Sequence, residues 1–327
     1  MRPLRFAAGN WAESMGDAGM KKMDPFIRKG TEPAMVLSTL NFHTDTEGEG
    51  AGSGELPVLT FPILNGIPGI RHCFTTREGG VSSGYFSSLN LKNGIGDRDE
   101  NVAENFRRVA DGLGISPDDF VLTDQTHTAN VRVVTEADRG RGVTKKRDYR
   151  DVDGLVTNVP GLVLAVFSAD CVPVFFVDPK RRAVGLAHSG WKGTVQRIGA
   201  ETIRLMSRQY GTDPADLICA VGPSICRDCY EVSEDVAEQF RDAFPGHEAE
   251  LLTGGRAGHY QLDLWAANRI VLTEAGVLPE HIGMTDLCTC CNPKRLFSHR
   301  ASGGRRGVMG SFLGLTGSEG AMNDEYE

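Results

Sequence analysis

Long hydrophobic runs are scarce in this chain of 327 residues, and the longest, residues 162–177, is interrupted by Ser168 and Asp170. It is too short and too broken to span a bilayer and reads instead as strand–turn–strand. Positive charge is not in excess either. Against 43 Asp and Glu stand 35 Lys and Arg, a formal net charge of −8, so nonspecific nucleic-acid binding is not expected. The N-terminus lacks the compact apolar block of a signal peptide, which favours the cytoplasm, and nothing points to a membrane partner. Phosphate-loop and dinucleotide fingerprints are missing. No His-x-Glu accompanies a Pro-Cys-x-x-Cys, which excludes the usual nucleobase-deaminase zinc site. His247 and Glu248 open HEAEL, whose fifth residue is Leu251, so there is no metalloprotease helix. Eight cysteines spread over so long a chain suit reduced thiols or metal ligands better than a disulfide scaffold.

What is present is a mixture of strand and helix patterns bounded by two unpatterned ends. Residues 1–55 are rich in Gly, Met, Glu and Thr and close on TDTEGEGAGSGE, a linker composition, and are expected to be disordered. The tail, residues 316–327, carries the same expectation, leaving residues 56–315 as one folded domain. Within it, spacing predicts strands over 70–76, 183–188, 217–221, 296–298 and 308–312. Helices are expected over 100–112, 194–210, 234–244 (with Ser233 as cap) and 262–275. The segment RGRGVTKKRDYR, residues 139–150, reads as a long exposed basic loop. It is either a solvated insertion or a phosphate contact.

Three side chains stand out for chemistry. Cys171 and His188 each sit in a Gly- or Pro-punctuated turn beside a strongly apolar run, and His127 in DQTHTANV occupies a similar place before a β-rich stretch. If they converge, one thiolate and two imidazoles can hold a divalent transition metal with a fourth position open, which is the catalytic arrangement. They can equally form a nucleophile–base pair, or be an inert thiol and two satisfied turn histidines. The strand–turn–helix HSGWKGT, with Lys192, is compatible with anion binding and also with a plain tight turn. Arg77 and Arg300, in turns of their own, are candidates to complete a phosphate or carboxylate site. GVSSG, residues 80–84, matches a hydrolase elbow in letters, but no buried strand precedes it. Cys226, Cys229, Cys288, Cys290 and Cys291 form a second group. They are either reduced packing cysteines or a structural zinc site with an irregular second spacing.

Several of these segments together carry a resemblance: TTREGGVSSGYFSSLNL, DQTHTANV, VDGLVTNVPGLVLAVFSADCVPV, GLAHSGWKGTV, GPSICRDCYEV and CTCCNPKRLFSHR. In this order, over residues 60–315, they resemble the laccase-domain family, also called the multicopper polyphenol oxidase or peptidoglycan editing factor family. The resemblance places the family's His–Cys–His metal triad on His127, Cys171 and His188. It implies a single-domain α+β fold of mixed β-sheets with flanking helices, similar to the catalytic domain of cytotoxic necrotizing factor. It also implies Zn2+, with Cu2+ as an alternative. The implied activities are phosphorolysis of adenosine, inosine and S-methyl-5'-thioadenosine and deamination of adenosine, with purine nucleosides and phosphate as partners. Lys192, Arg77 or Arg300 are then candidates for phosphate, and Asn90 and Gln125, by side-chain type, for sugar or base. Two other readings remain: a copper-dependent polyphenol oxidase, and a cysteine hydrolase acting on peptidoglycan precursors with Cys171 as nucleophile. Eight histidines without one His-x-His pair argue against a blue-copper plus trinuclear assembly. The sequence departs from the family pattern at Thr128, Cys226, Asp228 and the turn 300–307.

Overall fold

A computed structural model of the chain describes residues 26–30, 34–44 and 52–317. Two six-stranded sheets form its centre. The first runs in the order Val36–Thr44, Gly52–Thr60, Ile70–Thr75, Met309–Leu315, Val163–Ser168, Phe120–Leu122. The second runs Ile282–Met284, Ile218–Val221, Val172–Asp178, Ala183–Ser189, Gly154–Thr157, Val131–Val133. Both sheets mix parallel and antiparallel pairs. A small sheet of three strands lies apart, Glu231–Ser233, His259–Leu262 and Leu252–Gly254.

The two large sheets pack face to face, and the apolar run 172–178 shows why. Phe175 and Val177 point into the core between the sheets, with Val184 and Leu186 beside them and Leu164, Val166 and Leu313 opposite. Val172, Val174 and Phe176 point the other way, onto Ile198, Met206 and Val271 of two covering helices, Ile198–Tyr210 and Leu264–Glu274. A strand buried on both faces has no polar alternation to show. The outer face of the first sheet, with Val163, Ala165 and Phe312, is covered by helix Asp99–Gly112 through Val102, Phe106 and Val109. The result is a helix–sheet–sheet–helix stack, a single-domain α+β fold.

Four expectations are corrected. The stretch 36–44, placed in a disordered extension, is a strand whose Leu40 and Phe42 enter the core under helix Asp99–Gly112. Its partner Gly52–Thr60 likewise begins inside that extension. Residues 1–25 and the tail from 318 onward lie outside the described residues. The helix expected over 194–210 is two helices, Trp191–Val195 and Ile198–Tyr210, because Arg197 takes a left-handed conformation, φ 59°, that no α-helix can contain. Residues 296–298 form no strand. Ser298 instead caps the short helix His299–Ser302 by accepting from the Ala301 N–H at 3.1 Å. The loop 139–150 is packed rather than free. Tyr149 is buried with its hydroxyl donating to the Leu122 carbonyl, and Arg139, Arg141 and Arg147 pair with Asp119, Asp148 and Asp124.

Candidate metal centre

Two chain crossings build the site. The segment after Phe120–Leu122 leaves the first sheet and enters the second at Val131–Val133, carrying His127. The turn between Val163–Ser168 and Val172–Asp178 makes the same passage and carries Cys171. His188 comes from strand Ala183–Ser189, where it pairs with Pro173. All three meet at one end of the sandwich, with their ligand atoms within 4.8 Å of one another. Cys171 Sγ lies 3.9 Å from His127 Nε2, and the two imidazoles stand edge to face with centroids 5.0 Å apart. His188 is buried, Cys171 half-buried and His127 exposed, so the site opens on the His127 side.

Asp153, fully buried, holds this arrangement together. Its Oδ1 lies 2.8 Å from His188 Nδ1, which leaves Nε2 of that ring for a metal. The same carboxylate accepts from the backbone N–H groups of Thr126, His127 and Thr128 at 3.1, 3.1 and 2.8 Å, and from the Thr128 hydroxyl at 2.9 Å. His127 sits at φ 67° and Asp170 at φ 91°, backbone conformations that cost about 1–3 kcal/mol each outside glycine. The Asp153 clasp offsets the first. Thr289 Oγ1 and the Arg300 N–H, donating to Asp170 at 2.6 and 2.7 Å, offset the second.

The electrostatics follow from these contacts. Burial disfavours the Asp153 carboxylate, yet its bonds to His188 and the 126–128 amides bring it down to about 2. Burial likewise opposes a thiolate at Cys171, but the two imidazoles outweigh it and draw the thiol down to about 6. His188 is pushed by burial towards neutrality and more strongly by Cys171 and Asp153 towards the cation, reaching about 9. The metal-free triad therefore resembles an ion pair that a divalent cation can replace, displacing the imidazolium proton. Gly190 lacks a side chain where a Cβ would stand 2.8 Å from His127 Cδ2 and 3.1 Å from Cys171 Sγ, so the space around the three donors is kept clear. The donor set, with Asp153 orienting the His188 ring, fits a three-ligand site for zinc or copper.

A cavity of about 310 Å³ opens onto the triad. Trp191, Ile225, Tyr230 and Leu264 give it an apolar wall, and Arg300 and Arg306 a cationic one beside His299 and Asp170. A volume of this size suits a small molecule.

Of the other residues singled out from sequence, Arg300 alone lines this cavity. Its guanidinium is held over the Tyr230 ring and donates to the carbonyls of Cys229 and Glu231 at 3.1 and 2.9 Å. Arg77 spends its guanidinium on the carbonyls of Ser87 and Pro293, 2.8 and 2.7 Å away, and lies over Phe297. Asn90 is fully buried and knits loops together, donating to Asp97 and accepting from the Val308 N–H. Gln125 clasps both backbone groups of Phe167, at 2.6 and 2.7 Å. Lys192 is exposed, with its ammonium over the Trp191 ring. Ser82 of GVSSG donates to Asp97 and has no histidine partner among the described residues. Asp153, His299 and Arg306 went unnoticed. The first lies in the quoted VDGLVTN segment, and the others in the 297–307 turn, where Arg300 alone was singled out.

Residues 71–316 match the family described as multi-copper polyphenol oxidoreductase laccase, and the chain belongs to it. It is 40% identical over 247 residues to the purine nucleoside phosphorylase YlmD of Bacillus subtilis, covering 74% of this chain and 87% of that protein. It is 35% identical over 250 residues to the adenosine deaminase RL5 of an unknown prokaryotic organism, covering 76% and 94%. The crystal structure of YlmD from Geobacillus stearothermophilus superposes with a TM-score of 0.74 at 36% identity, covering 84% of this chain and 98% of that one.

Proposed function

We propose that this protein is a metal-dependent purine nucleoside enzyme that cleaves adenosine, inosine and S-methyl-5'-thioadenosine with phosphate and deaminates adenosine. The observation that carries the reading is the open-sided triad of His127, Cys171 and His188 facing a cavity with one apolar and one cationic wall. Two relatives, 40% and 35% identical and named one for each activity, support it. Zn2+ on the triad, when bound, supplies a Lewis acid and lowers the pKa of water beside the substrate.

The remaining work belongs to side chains. Trp191, Tyr230 and Leu264 offer flat apolar surface to a purine and exclude water from it. Phosphorolysis requires an anion held while positive charge grows at C1′, and Arg306 is placed to hold it. Its guanidinium is partly desolvated, its Nε finds no hydrogen-bond partner among the described residues, and it lies within electrostatic reach of Asp170 and Cys171. His299, 3.4 Å from Arg306, and Arg300 complete that wall. Arg300 serves here mainly as a fixed positive charge, since its donors are already engaged. Arg77, Asn90, Gln125 and Lys192 take no part in this reading.

Against a multicopper oxidase, only the triad and one all-cysteine group converge among the described residues, with no further imidazoles to complete a copper cluster. The purified protein, loaded with zinc and given inosine and phosphate, should release hypoxanthine and ribose 1-phosphate, whereas Cys171→Ala should fall to background. Equal rates from the two proteins sink the proposal.

A further inference from the structure

Four sulfurs converge a short way behind the cationic wall. Cys226, Cys229, Cys288 and Cys291 have their Sγ atoms within 4.8 Å of one another, with Cys229 and Cys291 3.5 Å apart. Around a tetrahedral zinc, with each bond about 2.3 Å, thiolate sulfurs stand about 3.8 Å apart, so a small contraction of the group meets the requirement. The spacing is regular once Cys290 is set aside. Residues 226 and 229, and again 288 and 291, are two Cys-x-x-Cys turns, and the apparent irregularity of Cys-x-Cys-Cys comes from one cysteine that does not join.

We propose that these four cysteines form a closed tetrathiolate site for a structural zinc ion, separate from the His–Cys–His triad and independent of the purine reading. Three further observations support it. Cys288 Sγ accepts two backbone N–H groups, from Cys226 at 3.2 Å and Cys291 at 3.4 Å, the outer-shell arrangement that steadies a metal-bound thiolate. Four protein ligands leave no open position, which marks the site as structural. The cation of Lys29, paired with Asp228 at 2.8 Å, also acts on the sulfurs of Cys226 and Cys291 and partly offsets the double negative charge of zinc with four thiolates. The surrounding contacts give the ion a task. The turn carrying Cys229 presents the carbonyls that grip Arg300, and Thr289, beside Cys288, donates to Asp170 next to Cys171. The ion ties the back of the cavity wall to the loop 222–230.

The test uses the full chain carrying Cys171→Ala, so that the triad's own metal does not enter the count. Expressed with zinc, then passed over a weak chelator and desalted, it should retain about one zinc per chain. Adding Cys226→Ser and Cys291→Ser should abolish that zinc, while adding Cys290→Ser should leave it in place. If the doubly substituted protein does not fold, cobalt exchanged into the Cys171→Ala chain decides the matter alone, since a tetrahedral tetrathiolate ion shows strong sulfur-to-metal charge transfer. Absence of retained zinc from folded Cys171→Ala protein expressed with zinc overturns the proposal. A disulfide linking any two of the four in reductively prepared protein overturns it equally.

Discussion

Asp153 does two jobs with one carboxylate: it fixes the His188 ring and holds the 126–128 amides that aim His127. Asparagine keeps the size but has one acceptor oxygen in place of two. In Asp153→Asn, zinc affinity of the triad should therefore fall about 10- to 100-fold, as read by competition against a zinc chelator on protein shown to be folded, and the melting midpoint should drop as the clasp on residues 126–128 weakens. A wild-type affinity would show that the clasp does not matter. Arg306 is tested by splitting the two reactions. Arg306→Gln should raise the KM for phosphate about tenfold or more while adenosine deamination, which needs no phosphate, changes little; equal losses in both would argue against an anion role. Asp153 escaped the sequence reading because an acid before a strand has no spacing signature. Its burial is visible only once the two sheets are packed. Cys171, His127 and His188 were legible because each lies in a turn beside an apolar or β-rich stretch, where strand ends deliver side chains to a shared edge.

At the level of elements, the turns decide the geometry. The turn from strand Ala183–Ser189 into helix Trp191–Val195 needs Gly190 because His127 and Cys171 occupy the space of a Cβ. Gly190→Ala should push the exposed His127 ring outward and lower kcat/KM on inosine by about 100-fold, the usual cost of displacing a reacting group by about 1 Å. A near-normal rate would mean that His127 is dispensable. The doubly buried strands were legible from composition alone. Strand Val36–Thr44 was not, since polar Ser38 shares the buried face with Leu40 and Phe42 while Leu37 on the other face is half-buried against the inter-sheet core, so no clean alternation marks it. The break at Arg197 was hidden for a related reason. A left-handed arginine is held there by Glu274 and Phe244, contacts that lie 77 and 47 positions away in the chain.

Across the whole molecule, stability and function draw on the same sandwich. His72 lies inside it against Phe61 and Phe175, and its Nε2 accepts the Phe61 N–H at 3.0 Å, so the ring must be neutral. Burial lowers it from 6.5 to about 4. The unfolded chain therefore binds the proton first as pH falls. The stability due to the neutral ring is complete above about pH 6.5 and is lost progressively towards pH 4, on the order of 3 kcal/mol in all. Urea midpoints followed through that window should decline less steeply in His72→Gln than in wild type, and parallel slopes would contradict this. Among the described residues no helix is long and apolar enough to cross a membrane. The account rests most heavily on a metal held by His127, Cys171 and His188. The most direct measurement is the rate of hypoxanthine release from inosine and phosphate before chelation, after the triad's metal has been removed, and after zinc is returned. Loss and recovery of the rate are the predicted result, and an undiminished rate from protein shown to be free of metal at the triad would contradict it.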